Sequence, residues 1–128
     1  MNGKQARSYF LSLPEALEDF PFRPDTPVFK IKTKMFGFLR YKDGVGHINL
    51  KCNPEEAMVM RDIFESVIPG YHMNKEHWNT VILDGTVPRE EIESMIDTSY
   101  ALVVQNLTKA DRLRLEIRHG KSQIFVTE

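Results

Sequence analysis

A short turn signal constrains the fold of this chain more tightly than any other feature. Asp43-Gly44 lies between residues 34–42 and 45–51, two stretches typical of β-strands. Successive side chains of a strand point to opposite faces, and glycine supplies the positive φ that a two-residue hairpin turn requires. The sequence therefore predicts an antiparallel β-hairpin centred on this dipeptide.

The residues before this hairpin predict one helix, a connector and one strand. Apolar residues recur at helical spacing over 2–13, and Pro14 is expected to end that helix. Residues 15–27 hold three prolines and an acidic cluster, so an irregular connector is expected there. Residues 28–32 alternate between apolar and lysine side chains, which predicts a strand.

The residues after the hairpin predict two more helices and two more strands. Asn53 and Pro54 are typical of a helix start, and an apolar stripe continues to Val67 before Pro69-Gly70. A short segment around Tyr71 and the better pattern over 79–83 predict strands. Pro88 then opens a helix whose apolar stripe reaches Leu107. The fold class is therefore α+β, in the order α-β-β-β-α-β-β-α.

The C-terminal tail, from residue 109, is compatible with two predictions of secondary structure. Residues 112–118 alternate strictly between charged and apolar side chains, and 123–127 are again strand-like, which predicts a C-terminal β-hairpin. A helix through Leu113 and Ile117 is the alternative.

Composition fits one globular domain. The chain has 128 residues, 41% of them hydrophobic and 27% charged, and no apolar run approaches the length that crosses a membrane. No signal peptide is evident at the N-terminus. Cys52 is the single cysteine, so no internal disulfide can form, and a cytoplasmic location is expected. Its place at the end of an apolar strand pattern predicts a buried thiol.

No pattern for catalysis, for a metal or for a cofactor is found. Nucleophile elbows and glycine-rich phosphate loops are absent from the sequence. His72 and His77 lie five positions apart, which is not the helical spacing that places two imidazoles on one metal ion. The sequence therefore predicts a binding protein and not an enzyme.

A basic segment gives the first candidate binding surface. Residues 28–51 carry six Lys or Arg side chains against the single acid Asp43. Strict alternation would place two phenylalanines among these cations on one open sheet face, and rings bordered by cations suit nucleic acid. The nucleic-acid-binding candidates are Lys30, Lys32, Lys34, Phe36, Phe38, Arg40, Lys42 and Lys51. The alternative is that the connector or the tail covers both rings.

A dense polar and aromatic stretch gives a second candidate, a small-ligand pocket. Its members lie between residues 71 and 80, and ligand pockets combine an apolar wall with a few convergent polar groups. The pocket candidates are His72, Asn74, Lys75, His77, Trp78 and Asn79. A protein-interaction or homodimerisation module, using the sheet face or the tail, is a further alternative.

Five segments resemble the MmcQ/YjbR family. They are LPEALEDFPFRPDTPVFKI at 13–31, KMFGFL at 34–39, INLKCNPEEA at 48–57, PGYHMNKEHWNTVILDG at 69–85 and VPREEIESMIDTSYALVV at 87–104. The resemblance covers roughly residues 4–108, which predicts a domain over 1–108 and a C-terminal extension over 109–128.

The resemblance carries its own expectations about fold and function. It implies a two-layer fold, an antiparallel sheet backed by helices, of the frataxin-like (CyaY-like) and secretion-chaperone-like kind. It also implies a DNA-binding role, assigned to the family by likeness to a "double wing" domain and extending to transcriptional regulation. Such a label is an analogy of shape, so the site must be argued from the residues themselves.

Overall fold

The computed structural model describes residues 1–125, in which the helices pack on one face of a single six-stranded sheet. The strands are all antiparallel and stand in the order β1-β2-β3-β4-β6-β5. The elements are α1 (Gly3–Ser12), β1 (Ala16–Asp19), β2 (Val28–Ile31), β3 (Lys34–Lys42), β4 (Val45–Lys51), α2 (Pro54–Ile63), β5 (Val67–Pro69), β6 (Trp78–Ile82), α3 (Arg89–Gln105), α4 (Lys109–His119) and α5 (Lys121–Ile124). The predicted two-layer α+β fold is confirmed.

The predicted hairpin is present between β3 and β4. Lys42 pairs with Val45, and the two turn residues between them both have positive φ, 53° for Asp43 and 78° for Gly44. Two left-handed residues in a row are what a type I′ turn requires. This turn fixes the register of the two central strands of the sheet.

The core lies between the sheet and the helices, on what we call the helix-covered face. Phe10 of α1 stacks on Phe29 of β2 with ring centroids 4.1 Å apart. Phe36 of β3 lies against Phe10 and meets Tyr100 of α3 edge-on at 5.2 Å. These four rings are at most 1% exposed, so they join the sheet to both helices in one aromatic cluster.

A β-bulge in β3 changes which side chains face the core. Phe29 pairs with Gly37 whereas the next residue, Lys30, pairs with Met35, so Phe36 is an extra residue with no partner on β2. Directly paired residues share a face, so Met35 lies with Lys30 on the outer face, which is the side of the sheet away from the helices. Phe36 turns to the helix-covered face, whereas strict alternation had predicted it on the open face with Phe38.

The segment predicted to be an irregular connector contains an additional strand. β1 pairs with β2 along its whole length, from Ala16 opposite Ile31 to Asp19 opposite Val28. Glu15, with φ of 58°, turns the chain from α1 into this strand. Only residues 20–27 of the predicted connector are irregular.

The helix predicted to run towards Val67 is shorter in the structure. α2 ends at Ile63, and Val67 instead pairs with Val81 as the first residue of β5. Val67 is buried in the core through the sheet and not through the helix stripe. Tyr71, around which a strand was predicted, lies after β5 in a loop.

The predicted C-terminal hairpin is wrong, and the helical alternative is right. The Thr108 hydroxyl caps α4 by accepting the N–H of Asp111, and Gly120, with φ of 82°, separates α4 from α5. Leu115 and Ile124 are buried in the core, whereas Leu113 and Ile117 are exposed. The alternating segment 112–118 thus forms a helix in which only Leu115, of its three large apolar side chains, is buried. Residues 126–127 of the predicted second strand lie outside the described residues.

Within residues 1–125 the structure contains no helix that is long and apolar enough to cross a membrane.

Candidate functional site on the outer face of the sheet

The eight residues predicted to form an open basic and aromatic face do not lie together. Phe36 is buried against the helices because of the bulge. Lys34 also points to that side, where its ammonium donates to the carbonyl oxygen of Asn106 at 2.9 Å. Lys51 lines a small cavity beside α2 and α3. The predicted platform is therefore wrong for these three positions.

Two of the remaining lysines are already paired with acids. The ammonium of Lys30 lies 2.9 Å from Asp19, and that of Lys32 lies 3.1 Å from Glu15. These pairs tie β2 to β1 and to the turn before it. They reduce the free positive charge that the sequence count of residues 28–51 implied.

Phe38 is the ring that remains on the outer face, and the connector covers it. Phe22 meets Phe38 edge-on with centroids 6.3 Å apart, and Phe38 is only 5% exposed. The alternative stated from sequence, coverage by residues 14–27, is thus confirmed for Phe38. Phe22 itself is well exposed, and so is Phe20, so the connector still presents accessible rings.

A cleft lies between this connector and the loop that follows β5. Its volume is about 550 Å³, a size that fits a small organic group. We call it the outer-face cleft. It is lined by Phe22, Arg23, Asp25, Thr26, Phe38, Arg40, Tyr41, Tyr71, His72 and Met73.

Arg40 is the central charged group of this cleft. Its guanidinium carbon lies 3.7 Å from the centroid of the Tyr71 ring, a close cation–π contact. Its Nε is buried and has no hydrogen-bond partner among residues 1–125. A buried donor without an acceptor is costly, so the cleft has an unmet capacity to hold an anionic or carbonyl oxygen.

Asn49, opposite Phe38 at the centre of the sheet, also has a buried nitrogen donor without an acceptor among residues 1–125. Its side-chain oxygen accepts hydrogen bonds from the N–H of Tyr71 at 2.9 Å and from the Thr80 hydroxyl at 2.6 Å. Its amide nitrogen is buried and has no partner within the part of the chain described. Asn49 thereby fixes the backbone of Tyr71, which places the ring under Arg40.

Arg61 of α2 anchors the loop that carries Tyr71 through hydrogen bonds. The guanidinium of Arg61 donates to the Asn79 side chain at 2.6 Å, to the carbonyl of Trp78 at 3.3 Å and to the carbonyl of Lys75. Gly70 begins the loop where a Cβ would lie 2.7 Å from the Cβ of Trp78, so a larger residue cannot fit without a shift. The loop is therefore a supported wall of the cleft.

The six residues predicted to form a pocket are dispersed by this arrangement. Only His72 lines the outer-face cleft. Asn74 bonds within the loop, Trp78 is buried, and Asn79 points to the helix-covered face, where it binds Arg61 and the carbonyl of Ala57. Lys75 and His77 are exposed. The prediction of one convergent pocket from these six residues is wrong.

Sequence reasoning missed Phe22, Arg23 and Tyr71 as members of the site. Their patterns gave no periodic signal because they lie in irregular segments that are 44 or more positions apart in the chain. Only the fold brings the two segments to the same end of β3. The aromatic and arginine content of the connector was the one available clue.

Cys52 lies in the second cavity, of about 280 Å³, between α2 and α3. Its side chain is partly buried rather than fully buried. Burial raises the pKa of the thiol to about 11, so the reactive thiolate is scarce at neutral pH. In residues 1–125 no group of three His, Cys, Asp or Glu side chains is placed to hold a metal ion.

Known proteins match this chain in sequence and in structure. A family model described as YjbR matches residues 11–102. The Escherichia coli O157:H7 protein YbdF, described as uncharacterized, is 37% identical over 110 residues, which cover 86% of this chain and 90% of YbdF. The Bacillus subtilis protein YyaQ, also described as uncharacterized, is 46% identical over 63 residues, covering 47% of this chain and 52% of YyaQ.

Two solved structures share the fold. The crystal structure of the Deinococcus radiodurans protein DR2400, with a DUF419 domain, has a TM-score of 0.81 and 40% identity, covering 89% of this chain and 87% of that one. A crystal structure from Pseudomonas syringae has a TM-score of 0.71 and 33% identity, covering 80% of this chain and 98% of that one.

Proposed function

The chain belongs to the YjbR family, and we propose that it is a non-catalytic protein that binds single-stranded DNA through the outer-face cleft. The observation that carries this proposal is Arg40, whose guanidinium lies on the Tyr71 ring while its Nε has no partner among the described residues. A cation beside an accessible ring is the pairing that single-stranded nucleic acid uses, with the ring for a base and the cation for a phosphate.

The rings of the cleft support base stacking. Phe22 and Tyr71 are both substantially exposed and stand on opposite sides of the cleft. Every base has a π-face, so a base inserted between these segments stacks whatever its identity. The buried ring of Phe38 supplies an apolar floor. Rings and a guanidinium bind ligands without reacting with them, which is why we propose binding and not catalysis.

The cations around the cleft support contacts with the backbone of the same strand. Arg23 lies in the cleft wall and pairs only loosely with Asp25, at 3.7 Å. Lys42 lies further along β3, two positions from Arg40, and is exposed. With about three phosphate contacts, the logarithm of the affinity would fall against the logarithm of salt with a slope of about −2.

A single strand fits these features better than a duplex. A duplex presents a regular double row of phosphates and needs a continuous basic surface, whereas Lys30 and Lys32 are paired with acids and Lys34 lies on the other side of the sheet. A concave cleft with rings suits an unstacked base.

Fluorescence anisotropy with a labelled oligothymidine of about ten nucleotides tests the proposal. We expect micromolar binding at low salt, weaker binding to a duplex of the same length, and little binding of the mononucleotide. Tyr71→Ala should weaken binding by about tenfold, because one stacked base contributes about 1–3 kcal/mol, whereas Tyr71→Phe should keep most of the affinity.

Arg40→Ala and the control Lys34→Ala each remove one cation, but from opposite sides of the sheet. Arg40→Ala should weaken binding, and Lys34→Ala should leave it within about twofold. Circular dichroism confirms that each variant is folded. The proposal fails if the wild-type protein does not bind the oligonucleotide at tens of micromolar. It also fails if Arg40→Ala and Lys34→Ala weaken binding equally.

A further inference from the structure

The outward face of α2 is apolar and acidic. Met58, Val59 and Ile63 are 67%, 51% and 60% exposed, and no residue from 1 to 125 covers them. The acids Glu55 and Asp62 lie between them on the same side of the helix and are also exposed. Three exposed apolar side chains on one helix face form a patch of the kind that marks an interaction surface.

The outward face of α4 is apolar and basic. Leu113 and Ile117, one helical turn apart, are 41% and 84% exposed. Arg114 and Arg118 stand beside them, and both stay more than 60% exposed although Arg114 pairs with Asp111 at 3.5 Å and Arg118 with Glu15 at 3.1 Å. Lys121 continues the row at the start of α5. The buried Leu115 is on the opposite side of the helix, so the outward apolar pair has no role in the core.

We propose that these two faces pack against each other between two copies of this chain, α2 of one copy on α4 of the other. Both faces carry exposed apolar side chains, and the acids that lie among those of α2 meet the arginines beside those of α4, so apolar burial and charge attraction favour the same pairing. The occupant of each face is therefore a second copy. This inference is independent of DNA binding.

One copy cannot satisfy both faces by itself. α2 packs beside β5, and α4 is attached through Arg118 and His119 to Glu15, directly before β1. β5 and β1 are the opposite edge strands of the sheet, so the two helix faces lie at opposite ends of the helix layer. The pairing must be intermolecular.

The contact geometry sets the affinity and the form of the assembly. Helices of 10 and 11 residues are about 15 Å long, so a single α2–α4 contact is smaller than a standard interface and should be micromolar at best. If two copies exchange both contacts they close into a dimer. If each copy uses its two faces with different neighbours, chains grow with concentration.

Sedimentation velocity over a range of concentrations, up to about 1 mM, tests the inference. The wild-type protein should associate as concentration rises. Ile117→Glu should weaken association by about tenfold or more, because it places a charge in the apolar centre. Leu17→Glu is the matched control, since Leu17 is 59% exposed and lies with its partner Lys30 on the side of the sheet away from the helices, so it should leave association unchanged.

A charge exchange identifies the pairing. Asp62→Arg alone and Arg114→Glu alone should each weaken self-association, and both substitutions in one chain should restore it. A mixture of the two single variants should associate, because the reversed α2 of one meets the reversed α4 of the other. A monomeric wild-type protein at the highest concentration, or association that Ile117→Glu or the single charge reversals leave intact, would overturn the inference.

Discussion

Ser99 holds the bulge in β3, because its hydroxyl donates a hydrogen bond to the carbonyl oxygen of Phe36 at 2.5 Å. The same hydroxyl accepts the N–H of Lys51 at 2.9 Å. One buried side chain of α3 thereby satisfies one backbone group on β3 and one on β4, at the residue that interrupts the ladder between β2 and β3.

Ser99→Ala should reduce the free energy of unfolding by about 2–4 kcal/mol, since it leaves a buried carbonyl and a buried N–H without their partner. Urea unfolding followed by circular dichroism measures the change. Ser94→Ala is the matched control, because Ser94 is exposed on the same helix, and it should cost less than about 0.5 kcal/mol. Equal losses in the two variants would contradict the role assigned to Ser99.

Leu115→Ala and Ile117→Ala distinguish the observed tail helix from the hairpin predicted by sequence. In a hairpin the two side chains would share a face and matter equally, but in α4 Leu115 is buried and Ile117 is exposed. Leu115→Ala should therefore cost about 2–5 kcal/mol and Ile117→Ala less than about 0.5 kcal/mol. Urea unfolding at concentrations where the chain is monomeric checks this, and similar losses would count against the helix.

Arg61→Ala should loosen the loop that carries Tyr71. Arg61 donates hydrogen bonds to the loop carbonyl of Lys75, to the carbonyl of Trp78 at the start of β6 and to Asn79, so its removal should speed hydrogen exchange of residues 71–77 and weaken oligonucleotide binding together. Hydrogen-exchange mass spectrometry makes the measurement. Arg89→Ala, which removes only an exposed pair with Glu93, should change neither quantity. Unchanged exchange in the Arg61 variant would refute this coupling.

Glu15 should make stability depend on pH in the acid range. The hydrogen bond from His119, together with Lys32 and Arg118, lowers the pKa of this carboxyl below its usual value near 4.5 although partial burial opposes the shift. A lowered native pKa gives stability that is present above the unfolded-state pKa and is lost as pH falls through the native one. The free energy of unfolding should thus fall between pH of about 5 and 2.

Glu15→Gln isolates that contribution. The variant keeps Asp97, whose pKa burial raises and whose pH dependence has the opposite sign, so the difference between variant and wild type reports Glu15 alone. We expect the wild type to be the more stable protein near pH 6 and the difference to shrink on acidification. Urea unfolding at several pH values measures it, and a difference that grows as pH falls would show the assignment to be wrong.

Local chemistry was enough to predict much of the fold. The Asp43-Gly44 turn, the proline-led start of α2 and the long stripe of α3 depend on residues close together in sequence. The first two occur as predicted, and α3 contains the predicted stripe up to Gln105, two residues before Leu107. Apart from β1, α4 and α5, the order of elements followed from these signals because antiparallel neighbours need only short connections.

The errors share one physical cause, which is that distant contacts decide the structure at those places. The bulge at Phe36 is stabilised by Ser99, 63 positions away. The charged alternation of residues 112–118 suits a strand equally well, and only the core around Leu115 selects the helix. The candidate cleft depends on two irregular segments that meet across β3, so no window of sequence contained it.

The one extra residue in β3 changes which positions of the strand point towards the helices. Before the bulge the even-numbered position Phe36 supports the helices, and after it Gly37 and the odd-numbered Leu39 do so. A relative that lacked this single residue would keep Met35 opposite Lys30 and Lys34 opposite Ile31, and would lose only the ring that lies beneath α1 and α3. Positions of β3 in related proteins should therefore be aligned separately on each side of the bulge. Percent identity along the strand does not show which face of the sheet a shared side chain occupies.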